Sequence, residues 1–293
     1  MDHVGANNLK AGLLLGAFTV LLLYVGQKIA GPQGMLFAFF LALPLIACVF
    51  WFSDHILLAL YRARPLRDYD DPALYGTVAY LAENLDIPMP RIYLIKQEAA
   101  NIFAVGRTPA HASIVVTSGL VDLLSKDEMA GVIAHELSHV VHGDTLICTL
   151  AATLGGSVSM LANAAQWLFV LGMGSHREEG RNNFLASLLL MVCAPVIALM
   201  IQLSVSRLRE FSADERGAAL CGNPLWLANA LRKLAKAHER QSSQLMMVEH
   251  NPATAHLFII NPLRSKQWAR LFATHPPVGD RIRRLEALAI EVL

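Results

Sequence analysis

Ser125-Lys126-Asp127-Glu128-Met129-Ala130-Gly131-Val132-Ile133-Ala134-His135-Glu136-Leu137-Ser138-His139 decides how this chain is read. Ser125 followed three residues later by Glu128 is a capping box, in which each side chain takes the other residue's free backbone N–H and so starts a helix. Met129, Val132, Ile133 and Leu137 recur at helical spacing, so one face of that helix belongs to a core. His135 and His139 stand four apart, which puts both imidazoles on one face within reach of a single ion. Neutral imidazole nitrogen is a good zinc ligand, and Glu136 reaches a water on such a metal without being a ligand itself. The metal lowers the pKa of water toward ~7 and polarises a carbonyl, while the carboxylate takes the proton and returns it to the leaving group. The same spacing also arises by chance on solvated or core helices, so the motif needs its context.

Upstream of the motif the chain is strongly apolar. Of 293 residues 55% are hydrophobic and 16% charged, and the mean hydropathy of +0.44 is high for a soluble domain of this size. Four uncharged stretches, 11–27, 29–53, 145–175 and 182–206, are each long enough to cross a hydrocarbon core that needs ~20 residues. The first two are broken by Lys28 and the turn-like Gly31-Pro32-Gln33-Gly34, which predicts a helical hairpin. A cleaved signal peptide is the alternative for the first stretch, but a second long span follows at once. The third carries Gly155, Gly156, Asn163 and Gln166, as a buried core helix could; the polar linker 174–181 and the apolar fourth stretch favour a second hairpin instead.

If all four stretches cross, Lys10, Arg62, Arg64, Arg67, Arg207, Arg209 and Arg216 lie on one side and Lys28, Arg177 and Arg181 on the other. The excess of positive charge places both termini and the polar middle in the cytoplasm. The net charge of +1 and the lack of a long basic run leave no reason to expect a nucleic-acid partner. Of the four cysteines, Cys48, Cys148 and Cys193 sit in apolar runs and Cys221 stands apart, with no Cys-x-x-Cys spacing, which fits a reducing compartment.

In the polar middle, 73–85 reads as an amphipathic helix, 91–95 and 113–117 as β-branched strands, and 101–105 as a third strand. Beyond the fourth stretch, 224–239 and 278–290 read as helices. The chain divides into a transmembrane hairpin at 1–60, a first catalytic part at 61–144, a second hairpin at 145–206, and a second catalytic part at 207–293.

A catalytic zinc site needs a third protein ligand. His142 shares the helix, but three ligands from one straight helix make a poor tetrahedral set, and the longer His-x-x-Gly-x-x-His continuation fails at His142 and Thr145. A carboxylate from a second helix is the better geometry. Glu210 in Arg209-Glu210-Phe211-Ser212-Ala213-Asp214 follows the fourth stretch, and Asp214, one turn on, could orient a ligating imidazole. Without further knowledge the two acids read more often as a solvated helix face.

Taken in order, His135-Glu136-x-x-His139, Arg209-Glu210-Phe211-x-Ala213-Asp214 and His275-Pro276-Pro277 with Arg281-Ile282 resemble the HtpX group of bacterial membrane metalloproteases, gluzincins similar in motif to the CAAX prenyl proteases. The likeness covers most of the chain. It implies a mainly α integral membrane protein with a zincin-like α+β catalytic domain carrying a small β-sheet. It also implies one zinc ion on His135, His139 and Glu210, Asp214 behind the ligands, and His275 and Arg281 in contact with substrate or transition state. Asn101-Ile102-Phe103-Ala104 matches an edge strand onto which a peptide adds by backbone hydrogen bonds. Ile102 departs from the family's Ala, which bears on a side-chain pocket and not on backbone pairing. The implied activity is a zinc metalloendopeptidase of the inner membrane that cleaves unfolded or damaged membrane and cytoplasmic proteins. Its rivals are a processing protease for prenylated proteins and a non-catalytic zinc-binding scaffold, against which the retained Glu136 speaks.

Overall fold

The computed structural model describes residues 3–156, 206–240, 252–260 and 276–291. The helical run His3–Leu60 breaks at Ala30 (φ −137°) and Gly31 (φ +62°), because Gly31 enters the left-handed region open to glycine just before Pro32 fixes the next turn. The result is two helices, α1 (Gly5–Lys28) and α2 (Ala30–Leu60), each long and apolar enough to cross a membrane. They fold back on one another in backbone contact, since a Cβ on Gly26 would lie 2.5 Å from the Gly34 carbonyl oxygen. The expected hairpin is present, with α2 running seven residues past the expected 53 to Leu60. Leu36, Phe37, Phe40, Leu43 and Trp51 project outward from α2, an apolar surface suited to lipid.

A four-stranded sheet follows, built from β1 (Arg64–Pro65), β2 (Arg91–Ile95), β3 (Ile102–Val105) and β4 (Ser113–Thr117) in the order β1-β2-β4-β3. β2 runs parallel to β4 with Arg91 opposite Ser113, and β3 runs antiparallel to β4 with Ile102 opposite Val116. β3 is therefore an edge strand. Side chains alternate between two buried faces. Ile102, Ala104, Ile114 and Val116 pack with Val132, Ile133 and Leu137, while Phe103, Val105 and Val115 pack with Leu57, Tyr61 and Ala152. The sheet thus joins the foot of the apolar hairpin to the helix that carries the histidines.

That helix, α5 (Lys126–Val141), lies after α3 (Pro72–Asn84) and the short α4 (Ser118–Leu123). Both bonds of the expected capping box form: the Glu128 N–H donates to Ser125 Oγ at 3.3 Å and the Ser125 N–H to Glu128 Oε2 at 2.8 Å. Gly143, at φ +69°, ends α5 and releases the chain into α6 (Asp144–Gly156). α6 packs Leu146, Ile147 and Leu150 against Ala11, Leu14 and Phe18 of α1. α7 (Arg207–Cys221), α8 (Pro224–Arg240) and α9 (Val278–Glu291) complete the layer around α5. α5 meets both neighbours through glycine: a Cβ on Gly131 would lie 2.7 Å from Leu227 N of α8, and one on Gly217 of α7 2.8 Å from His135 N.

The strands at 91–95 and 113–117 fall where the sequence sets them, and the third begins one residue later than expected. Of the third and fourth apolar stretches only 145–156 and Ser206 are described, with 145–156 helical in α6; the rest of both and the linker 174–181 lie outside the described residues.

Candidate active site

The capping box sets the rotation of α5, and its apolar stripe presses on the sheet, so the opposite face turns His135 and His139 toward α7. The two rings meet edge to face with centroids 4.9 Å apart. His135 Nδ1 lies 3.0 Å from Asp214 Oδ1, and His139 Nδ1 lies 3.0 Å from Asp144 Oδ2. With each Nδ1–H donated to a carboxylate, each Nε2 presents its lone pair to the space between them. Glu210, buried on α7, fills the third side, its oxygens 3.8 Å from His135 Nε2 and 3.6 Å from His139 Nε2.

These separations test whether the residues suit a metal. The three ligand atoms all lie within 4.8 Å of one another. Two ligands on a tetrahedral zinc at ~2.0–2.1 Å stand about 3.3 Å apart. The Glu210 distances are longer than hydrogen bonds and close to that spacing. Two neutral imidazoles and one carboxylate, each imidazole held from behind by an acid, fit zinc.

Glu136 stands on the same helix face, and its Oε2 accepts the backbone N–H of Ala104 at 3.0 Å. The carboxylate is thus tied to edge strand β3. Burial pushes its pKa up to about 7, with the His139 charge opposing and Glu210 adding to the rise. For His139 burial works against the proton, yet the hydrogen bond to Asp144 and the charges of Glu210, Asp144 and Glu136 outweigh it, raising the pKa to about 9 without a metal, so a metal at Nε2 would displace a proton there. Burial holds His135 below its ordinary value. Asp214 is kept ionised despite burial by the Arg281 charge and hydrogen bonds, then by His135.

Arg281 of α9 is 0% exposed. Its Nε and Nη2 donate to the two Asp214 oxygens at 2.8 and 2.7 Å, and Nη1 donates to the Ile259 carbonyl at 2.8 Å. Nη1 also stands 3.8 Å from Glu210 Oε2. Nη2 lies 3.5 Å from His135 Nδ1 and 3.4 Å from His135 Nε2, so the guanidinium stands alongside His135 and Glu210 and holds Asp214 in a bidentate grip. His275 lies outside the described residues.

The cleft beside these groups is walled by Phe103 and Ala104 of β3 and by His256 to Ile259. The segment 252–260 is pinned at several points. Tyr61 Oη donates to Thr254 Oγ1, His256 Nε2 meets the Cys148 carbonyl at 3.1 Å, and the Ile259 N–H donates to Asn101 Oδ1 at 3.3 Å. Ile102 is turned away from the cleft into the core shared with α5.

Residues 69–289 match the family model described as Peptidase family M48. The chain belongs to peptidase family M48. It is 47% identical over 281 residues to a protein named Protease HtpX homolog from Syntrophobacter fumaroxidans, covering 95% of this chain and 98% of that one. It is 44% identical over 283 residues to Protease HtpX of Legionella pneumophila, covering 96% and 99%. Among solved structures it is similar to S. mikatae Ste24p, with a TM-score of 0.45 and 18% identity over 95% of this chain and 64% of that one. As an M48 peptidase the chain acts on polypeptides, and the His135, His139 and Glu210 cluster fits the metal expected of that family.

Three features of this M48 site escape the sequence reading: Asp144 behind His139, the Ala104 hydrogen bond to Glu136, and the segment at 252–260. Asp144 carries a usable signal, an acid directly after a glycine that ends the histidine helix. The other two depend on contacts between elements distant in the chain.

Proposed function

We propose that the chain is a membrane-embedded zinc endopeptidase that hydrolyses peptide bonds in unfolded or damaged membrane and cytoplasmic proteins. The observation that carries this reading is the convergence of His135 Nε2, His139 Nε2 and Glu210 beside a Glu136 carboxylate tied to an edge strand. Zinc bound there supplies Lewis acidity, which polarises a peptide carbonyl and acidifies water. Glu136, a buried carboxylate beside that site, is placed to take a proton and return it to the leaving amine. Its bond to the Ala104 N–H holds the base at the edge where an extended substrate would pair, so recognition uses backbone more than side chain. Such tolerance suits substrates that share exposed extended chain and no common sequence. Asp214 and Asp144 orient the imidazoles, and Arg281 is a positioning residue that acts through Asp214. Residues 61–144 and 207–293 supply the catalytic domain, of zincin-like α+β type.

The chain sits in the bacterial inner membrane with its catalytic part and termini in the cytoplasm. Support comes from both ends of the hairpin, since Asn7 near the start of α1 and Tyr61 after α2 each contact the catalytic layer. Both ends therefore lie on one side.

Purified full-length protein in detergent is expected to cleave unmodified casein, to lose that activity to a chelator, and to lose it in Glu136→Gln while still holding zinc. Full activity in Glu136→Gln or in excess chelator would sink the mechanism. Cleavage confined to prenylated peptides would favour the processing rival.

A further inference from the structure

Asn7 lies in the first turn of α1, ahead of Asn8, Lys10 and the apolar stretch, and it is 3% exposed. A buried amide costs free energy unless its donors and acceptor are met. Here Nδ2 donates to Asp144 Oδ1 at 2.9 Å and to the His142 carbonyl at 3.1 Å, and Oδ1 accepts from Arg209 Nη1 at 3.1 Å. Arg209 Nη1 also donates to Asp144 Oδ1 at 2.6 Å. One oxygen of Asp144 is thus held by α1 and α7 together, and the other, Oδ2, faces His139 Nδ1 at 3.0 Å.

We propose that Asn7 is a positioning residue of the metal centre, fixing with Arg209 the rotation of the Asp144 carboxylate that orients His139. The inference rests on the reading of His139 as a metal ligand. Asparagine suits the position because it offers a donor to the carboxylate and an acceptor to the guanidinium from one short, planar group. Its second N–H takes the carbonyl of His142, one of those left open where α5 ends, so the same side chain secures the end of the helix that carries His139. Removing the amide leaves Asp144 Oδ1 on Arg209 alone, and the carboxylate is free to swing toward that long, flexible side chain and away from His139. Outer partners of metal-bound histidines typically account for 10- to 100-fold in metal affinity. The first membrane helix is therefore part of the metal site as well as its anchor.

The plain rival is that Asn7 only fastens α1 to α6. Leu14, 1% exposed in the same interface and remote from the polar cluster, separates the two. Full-length wild type, Asn7→Leu, Asn7→Asp and Leu14→Ala are titrated with zinc against a competing chelator, and the thermal unfolding of each metal-free protein is recorded. Asn7→Leu is expected to raise the zinc dissociation constant about 10-fold, while Leu14→Ala lowers the unfolding temperature and leaves zinc affinity unchanged. Asn7→Asp keeps the shape, sets a like charge against Asp144 Oδ1 and is expected to weaken zinc similarly, which serves if Asn7→Leu does not fold. Wild-type affinity in both Asn7 variants, or an equal loss in Leu14→Ala, overturns the proposal. A wild type that binds no zinc overturns the metal reading itself, and this inference with it.

Discussion

Gly217→Ala is the sharpest test of how the site is assembled. On α7, Glu210, Asp214 and Gly217 share one face by helical spacing, and that face lies on α5. A Cβ at 217 would meet His135 N at 2.8 Å and His135 Cα at 3.0 Å, both backbone atoms that no rotamer change can move. Ordinary contact begins at 3.4 Å, so α7 must back away by about 0.6 Å. That exceeds the roughly 0.2 Å latitude of metal–ligand distances, and the retreat carries Glu210 and Asp214 with it. Overpacking of this kind costs ~1–3 kcal/mol, partly offset by the better helix propensity of alanine, up to ~1 kcal/mol. The expected result is a protein with modestly reduced thermal stability and a zinc dissociation constant raised about 10-fold or more, measured by chelator competition and by unfolding with and without zinc. Gly222→Ala is the control. Gly222 ends α7 at φ +80° with open space around it, so it costs ~1–2 kcal/mol of backbone strain without moving Glu210. Wild-type zinc affinity in Gly217→Ala, or an equal loss in Gly222→Ala, would refute the reasoning.

Other outcomes follow from the same contacts. Arg281→Met leaves Asp214 buried without its bidentate partner and is expected to destabilise the fold by ~3–5 kcal/mol, read as a lower unfolding temperature, with Arg281→Lys intermediate. Zinc at 100 times its dissociation constant adds ~2.7 kcal/mol to stability by mass action, so dialysis against chelator lowers the unfolding temperature by an amount that zinc restores. Glu128 is held below its ordinary 4.5 because Lys233 and Ser125 outweigh the opposing effect of burial. A depressed folded pKa stabilises above the unfolded value and is lost as pH falls through the folded one. Wild type is therefore expected to exceed Glu128→Gln in unfolding temperature at neutral pH, with the gap closing below pH ~4.5; a gap that persists in acid would count against this account.

The elements legible in the sequence were those with local signals. Ser125 and Glu128 announce the start of α5, and β-branched runs mark β2 and β4 to the residue. The two-residue β1 is too short for any periodicity to show, and α4 is a single capped turn or so between stronger elements. Glu210 and Asp214 read more often as a solvated helix face, and only the order of three separated motifs points to them as site residues. Arg281 looks like a surface residue at a helix start. Its burial comes from Asp214, 67 positions away, which no local pattern encodes. The Asn7, Asp144 and Arg209 cluster is longer in range still, since it joins the first helix to α7. Ile102 shows the reverse case, in which a departure from the family pattern is absorbed by the core behind the strand and does not reach the cleft.

The two histidines and Glu210 are separated by about 70 residues of chain, a distance with a consequence for synthesis. At roughly 5–20 residues per second, α5 leaves the ribosome some 4–14 s before the residue that completes its ligand set. During that interval the nascent chain carries His135, Glu136 and His139 without the Glu210 carboxylate that stands beside them in the folded protein. On the proposed zinc reading, the ligand set of His135, His139 and Glu210 is complete only once α7 has docked on α5.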